Sequence, residues 1–453
     1  MSNLFVSLTT AGTAMTVFER GLSVVQNNVT NVNTPGYAKQ RLLLESLRFE
    51  PDIGVAGGVR SPGILDSRSA AAEEGVRRQL FRHGGSQERV RQLERLEPVF
   101  EMRDGAGLGA ALNSLFQSFS ALSVAPNDSA ARQVALERAS GLAGSFNGMA
   151  QQLTLARAQS DTDLSENLER MDVLLSELAQ VNHELKQDYR AQSDAGLAAR
   201  TNDLLEELST LTQISVWRAE DGSVSIAAGG QVPLLMGTRT FSLAADTSTQ
   251  PVRIRNGEGE DVTGMLGEGS IQAILTFRNQ TLAGLQTDLD KLAKNVADQV
   301  NSTLAAGLDQ TGAAPTTALF AYDASLGVAR TLKVNPLAPQ DLAMAAAGSP
   351  GGNGNALALA ALGTAKTTDG YTFAQFYGSI AAKAGRALEN AREDQATQQT
   401  LLAQARELRQ QLQGVSLDEE AIHLMEYQRA YEATAKLVQT LDEMLETAMG
   451  IIR

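Results

Sequence analysis

Both ends of this 453-residue chain carry heptad patterns, and that pairing limits the fold more than any other feature. At the start, apolar residues stand at Leu4, Leu8, Ala11, Met15, Phe18, Leu22, Val25, Val29 and Val32, in alternating steps of four and three. Such spacing puts one narrow stripe on one side of a helix and requires a second helix to cover it. The stripe ends at Asn33-Thr34-Pro35-Gly36-Tyr37. Pro35 disfavours helical dihedrals in the residue before it, and Pro-Gly suits a type II turn with Gly36 at positive φ. From Leu417 on, Leu424, Tyr427, Tyr431, Thr434, Val438, Leu441, Leu445, Ala448 and Ile452 repeat the pattern. Ser416 followed by Glu419 is a capping box, and Asp418, Glu419 and Glu420 suit the positive end of the helix dipole. Each helix is roughly 30 residues long, about 45 Å at 1.5 Å per residue. The economical expectation is that the first and last helices pack on each other. A covered seam side chain contributes about 1.5–3 kcal/mol, against an ordering cost of about 1–2 kcal/mol per residue. Such a pair is therefore expected to be marginal alone and to order fully only against neighbouring subunits.

The chain between the two helices is read as mainly α with one small β insertion. Lys39 to Phe49 mixes Leu42, Leu43 and Leu44 with charge, and Gly54, Gly57, Gly58, Pro62 and Gly63 then mark loops and short extended pieces. Ala70 to Glu97 is helical, with a break expected at Gly84-Gly85, and a Gly-rich gap precedes the amphipathic run Leu108 to Leu122. Pro126 to Ser129 starts a helical block reaching about Tyr189. In it Leu164, Leu168, Met171, Leu175, Leu178 and Leu185 hold a second heptad register with Asn182 on the seam, where an asparagine either fixes coiled-coil register or marks the edge. Ala198 to Leu211 is a further helix. At Ile214 the period changes to two, with Asp221-Gly222 as a hairpin turn. Helix resumes near Ser270 and reaches Leu304, and Phe373 to Gln413 reads as a long Ala- and Gln-rich helix. The expected domains are a terminal coiled-coil assembly domain (1–60 and 415–453), a long helical bundle domain (61–213 and 263–414) and a small β domain (214–262).

Composition excludes several functions. The formal net charge is −14, which argues against neutralising nucleic-acid phosphates. No cysteine is present, so thiolate chemistry and disulfides are absent. No 18-residue apolar run spans a membrane, and Met1-Ser2-Asn3 does not open a Sec-type signal. His83, His183 and His423 have no metal-ligand spacing. Gly105 to Ala110 matches G-x-G-x-x-A but follows Glu101 to Asp104 rather than an apolar strand. Ala347 to Gly351 misses the nucleophile elbow at its first glycine. Asp418, Glu419 and Glu420 are better explained as helix-start residues than as a metal site. The reading is not an enzyme, with no catalytic residue, cofactor or metal assigned.

Asn27-Asn28-Val29-Thr30-Asn31-Val32-Asn33-Thr34-Pro35-Gly36-Tyr37 resembles the N-terminal signature of bacterial flagellar rod, hook and hook-associated proteins. Gln428 to Ala433 with Gln439 to Met444 resembles their C-terminal signature. Ser416 to Glu420, the run from Gly107 through Leu122 to Pro126, Asp128 and Arg132, and Gly264 to Gly267 leading to Phe277-Arg278-Asn279 are similar to the FlgK-type branch. The resemblance implies a structural adaptor at the hook–filament junction, secreted through the flagellar type III apparatus and assembling with itself as a ring or helix. It implies as partners the hook protein, the second junction protein FlgL and an export chaperone of the FlgN type, with no nucleic acid and no membrane. A hook or rod subunit of the same axial family is the alternative. The assembly residues expected are the nine N-terminal seam positions together with Asn28, Asn31, Pro35, Gly36, Tyr37, Leu424, Tyr427, Tyr431, Val438, Leu441 and Leu445. Asn27, Asn28 and Asn31 share a face displaced from the seam; they hydrogen-bond neighbouring subunits, or form a solvated polar face with Asn33 as the helix cap, and both can hold.

Overall fold

A computed structural model describes residues 2–50, 55–100, 107–188, 191 and 194–452. Gly54, Glu101 to Asp104, Gly105 and Tyr189, which the sequence reading placed in loops or at a helix end, lie outside the described residues. The chain opens on α1 (Ser2–Thr30) and closes on α12 (Leu417–Ile452), and these two pack along each other. Between them run α2 (Ala70–Glu94), α3 (Glu97–Phe100), α4 (Gly107–Val124), α5 (Ser129–Gln187), α6 (Ala195–Leu211), α7 (Ser270–Thr276), α8 (Leu282–Ala305), α9 (Val328–Thr331), α10 (Gly354–Leu362) and α11 (Phe373–Gln413). The mainly helical class with a small β part follows from these elements.

The short extended pieces after α1 pair into one antiparallel hairpin, which the sequence reading did not join. β1 (Gln40–Leu42) pairs with β6 (Ile64–Asp66), β2 (Glu45–Ser46) with β5 (Val59–Arg60), and β3 (Phe49–Glu50) with β4 (Val55–Ala56). The run Leu42-Leu43-Leu44 interrupts the period-2 pattern, which is why alternation did not reveal it. The hairpin lies along α1: a Cβ at Gly58 would stand 2.5 Å from Thr10 Cγ2.

α2 is continuous through Gly84-Gly85, where a break was expected. A Cβ at Gly84 would stand 2.3 Å from the carbonyl oxygen of Thr210 on α6. These glycines serve close helix approach, and neighbouring helices supply the stability that their propensity lacks. α5 is 59 residues long, about 90 Å at 1.5 Å per residue. It starts at Asp128, whose carboxylate accepts from the N–H groups of Ala130 and Ala131.

Two hydrophobic cores share α5. The first gathers Phe116, Phe119, Leu142, Phe146, Leu292 and Phe373 from α4, the first half of α5, α8 and α11. The second gathers Leu164 to Leu178 of α5, Leu205 and Leu208 of α6, Ile271 and Ile274 of α7, and Ile226, Leu234 and Ile254 of the sheet region. That region is a meander, β7 (Ile214–Arg218), β8 (Val224–Ala228), β9 (Val232–Met236) and β10 (Arg239–Thr240), followed by a hairpin of β11 (Leu243–Asp246) and β12 (Arg253–Asn256). Residues 214–262 thus share their core with helices instead of building one alone, as expected of so few residues. Asn182 neither pairs with a second helix nor marks an edge. It donates to the carbonyls of Val224 (2.8 Å) and Gly237 (2.5 Å) and accepts from Val224 N–H (2.8 Å), fixing the sheet to α5. Short ladders of β13 (Gly307–Leu308) with β16 (Ala345–Ala346), and β14 (Phe320–Ala321) with β15 (Lys333–Val334), close the far end.

Candidate assembly interface

The α1–α12 pair is built on a close approach at Gly21. A Cβ there would lie 2.8 Å from the ring of Tyr427, so only glycine lets the ring sit against the α1 backbone. Along α1 the buried residues are Ala11, Val17, Gly21, Val24, Val25 and Asn28. Val17 and Val24 stand seven and fourteen positions after Thr10, on the face that meets the hairpin. The expected stripe is only partly covered: Ala11 and Val25 are buried, Leu4, Leu8, Met15, Phe18, Leu22 and Val32 are half-buried, and Val29 is 41 % exposed. The buried band differs because α1 has two neighbours, α12 and the hairpin. On α12, Leu424, Tyr427, Tyr431, Val438 and Leu441 are half-buried and Leu445 is buried.

At the base of this pair the signature residues form a buried polar lock. Asn28, 1 % exposed, uses its whole amide. It donates to Gln40 C=O (2.9 Å) and to Glu420 Oε2 (3.0 Å), and accepts from Tyr37 O–H (2.8 Å) and Gln40 N–H (2.9 Å). Asn28 is therefore spent inside the subunit, which separates it from the expected contact with neighbouring subunits. Asn27 donates to Tyr37 Oη (3.3 Å) and Gln40 Oε1 (3.2 Å), and Asn31 folds back on Asn27. Glu420, also 1 % exposed, holds its other oxygen 3.3 Å from Lys39 Nζ by charge, without hydrogen-bond alignment. Burial, then Glu420 and Asp66, push the Tyr37 phenol up to about 12, so it stays a neutral donor.

The expected capping box forms only in half. Glu419 N–H points to Ser416 Oγ at 3.5 Å, but the Glu419 carboxylate is taken by Lys39 at 2.6 Å. Lys39 N–H in turn donates to Gln413 C=O, tying the exit of α1 to the end of α11. Gln413 donates to Glu73 and accepts from Ser69 N–H; Arg68 bridges Glu73 and Gly36 C=O, each at 2.8 Å; Arg409 joins Glu73 to Glu206. Gly36 has φ +69°, and a Cβ there would stand 2.4 Å from Ala199 C=O. Pro35 is exposed beside it. The lock thus joins α1, α12, the hairpin, α2, α6 and α11. Sequence reasoning singled out Asn28, Gly36 and Tyr37 but missed Gln40, Glu73 and Gln413, polar residues far apart in the chain that carry no local signal. Among the described residues, no group of three or more His, Cys, Asp or Glu is placed to hold a metal, and no helix is long and apolar enough to cross a membrane.

Comparison with known proteins agrees with this architecture. Residues 93–320 match the family described as flagellar hook-associated protein FlgK helical domain. Residues 398–451 match the C-terminal family of flagellar basal body rod FlgEFG proteins. The chain is 25 % identical to flagellar hook-associated protein 1 of Bacillus subtilis, over 99 % of each chain. It is 24 % identical to the Salmonella typhimurium protein of the same name over 65 % of this chain, and spans 55 % of that relative's length. The solved structure of the flagellar hook junction protein FlgK from Burkholderia pseudomallei has the same fold, with a TM-score of 0.67 at 16 % identity, over 76 % of this chain and all of that one. The chain belongs to the FlgK family of flagellar hook-associated proteins.

Proposed function

We propose that this flagellar component is a structural adaptor, not an enzyme, that polymerises through α1 and α12 at the junction between hook and filament. The carrying observation is the incomplete burial of the paired terminal helices. Their seam side chains are mostly half-buried in one subunit, whereas the heptad seam of α5 is buried throughout. Apolar surface left in this state gains free energy when neighbouring copies cover it. The hook protein lies on one side of such a ring or helix and FlgL on the other. A FlgN-type chaperone covers α12 before the chain is exported unfolded through the type III apparatus. Leu4, Leu8, Met15, Phe18, Leu22, Val29 and Val32, with Tyr431, Val438 and Leu441, supply the contacts between copies.

Deletion of the gene tests the assignment. The expected cells carry complete hooks, shed flagellin and grow no filament. Missing hooks would move the role to hook or rod, and unchanged motility would remove both. Amide exchange gives a second test. Residues 2–37 and 417–452 are expected to exchange faster than α5 in the free chain, though slower than an unfolded chain, and to gain protection in isolated flagella.

A further inference from the structure

We infer that the body around α5 carries a built-in flexure, a polar waist at which the first hydrophobic core tilts against the second. Three helices lose their apolar packing at this level. On α5 the buried residues between Ala156 of the first core and Leu164 of the second are Ser160 and Asp163, a span of about 12 Å at 1.5 Å per residue. On α2 the buried residues between Phe81 and Val90 are Gly84, Gly85, Ser86 and Glu88. On α11 no residue between Ala391 and Leu402 is buried. Polar contacts tie these stretches together. Gln92 of α2 donates to Asp163 Oδ2 (2.6 Å) and accepts from Ser160 Oγ (2.8 Å), and Arg89 donates to Asp394 of α11 (3.0 Å).

The remaining helical column is irregular here. Between α7 and α8 the segment Phe277–Thr281 is a π turn, and its buried Arg278 donates to Asp161 Oδ1 of α5 at 2.8 Å. Helices kink at π turns and at Gly/Ser pairs, and α2 carries Gly84-Gly85-Ser86 into the waist before it ends at Glu94. A cleft of about 270 Å³ opens between α2, α7 and α11, with Gly85, Arg89, Thr276 and Asp394 among its walls, and gives these helices room to close. The apolar cores on either side resist tilting, because interdigitated side chains cannot separate without leaving a void. The waist is joined instead by charged hydrogen bonds that can change partner. Asp163 accepts from Arg95 and stands 3.6 Å from Arg91, one turn earlier on α2. As α2 shifts along α5, Asp163 exchanges one arginine for the other and keeps a cation throughout, the pair of discrete arrangements that a moving joint needs. The use of the flexure rests on the assembly reading above: identical copies meet two different supports at unequal angles with both cores intact. The flexure itself is a property of the free chain, so its test is independent of the junction role.

The absence of native cysteine allows nitroxide labels at chosen pairs of exposed sites in the full-length chain. Lys383→Cys with Gln180→Cys straddles the waist. Lys383→Cys with Gln133→Cys lies inside the first core, and Ser165→Cys with Gln180→Cys inside the second. By pulsed electron–electron double resonance, the straddling distance distribution is expected to be about twice as broad as either control. A straddling distribution as narrow as the controls overturns the inference. Asp163→Asn, with circular dichroism unchanged, is expected to broaden the straddling distribution further and leave both controls as they were. Broadening of all three distributions, or of none, overturns the assignment of the joint to Asp163 and its arginines. The measurement on the chain with native Asp163 decides the flexure even where Asp163→Asn fails to fold.

Discussion

The seams of α5 and α12 are written in the same heptad pattern and end in different environments. Leu164, Leu168, Met171, Leu175, Leu178 and Leu185 of α5 are all 7 % exposed or less. On α12 the equivalent positions are half-buried, with Leu445 the exception. The cause is the number of neighbours. α5 is surrounded by α6, α7 and the sheet, whereas α12 rests on α1 and, at its start, on the base of the hairpin. A heptad pattern therefore specifies which face is covered, not how completely.

The largest effect that separates the two regions is a truncation in each. Leu175→Ala removes a fully buried side chain and is expected to cost about 2–5 kcal/mol of stability, read from the denaturant midpoint. Leu441→Ala on α12 is expected to cost about 1 kcal/mol or less in the free chain, and to show its main effect as lost incorporation into flagella. Equal losses in the free chain would mean that the terminal pair is as complete as the stalk, that is, α5 and the helices and sheet packed on it. Next comes Asn28→Leu, which strands Glu420, the Tyr37 hydroxyl and both backbone groups of Gln40. Each buried unsatisfied group costs about 1–3 kcal/mol. The expected outcome is release of the terminal helices from the stalk, seen as fast amide exchange in α1 and α12 while α5 stays protected.

The same comparison explains what was legible in the sequence. Helices with a sustained period, from Phe373 to Gln413 and from Leu417 onward, could be read because each presents one face to a partner. Gly84-Gly85 misled, because its neighbour Thr210 is remote in sequence and only tertiary packing turns two glycines into a contact surface. The hairpin was hidden by the leucine triplet, of which Leu42 is buried and Leu43 and Leu44 are exposed. Of the lock, Asn28, Gly36 and Tyr37 stood out through the family signature. Gln413 and Glu73 did not, because their meeting depends on how α11 returns to α2.

A smaller effect is expected where the helices touch most closely. Gly21→Leu forces the Tyr427 ring away from α1. Overpacking of this kind costs about 1–3 kcal/mol, confined here to a pair that the stalk does not need. The expected reading is an unchanged main unfolding transition with faster exchange of amides near Gly21 and Tyr427. A shift of the main transition would show that terminal pair and stalk unfold as one unit.

The smallest effect concerns protonation in the lock. The Tyr37 phenol is raised from its ordinary value of 10.0 to about 12 by burial, then by Glu420 and Asp66. The folded state thus favours the neutral phenol, whose O–H donates to Asn28. The linked stability is fully present below pH 10, where Tyr37 is neutral folded or unfolded. It falls as the pH rises from 10 towards 12, because the unfolded phenol ionises first. Terminal helices should therefore loosen in that alkaline window before the stalk does, with amide exchange of α1 corrected for its intrinsic pH dependence. Tyr37→Phe loses the hydrogen bond, at about 0.5–1.5 kcal/mol at neutral pH. It should also remove one late step from the tyrosinate absorbance titration and flatten the alkaline loosening of α1. If the loosening persists unchanged in Tyr37→Phe, the pH sensitivity of the pair lies outside the lock.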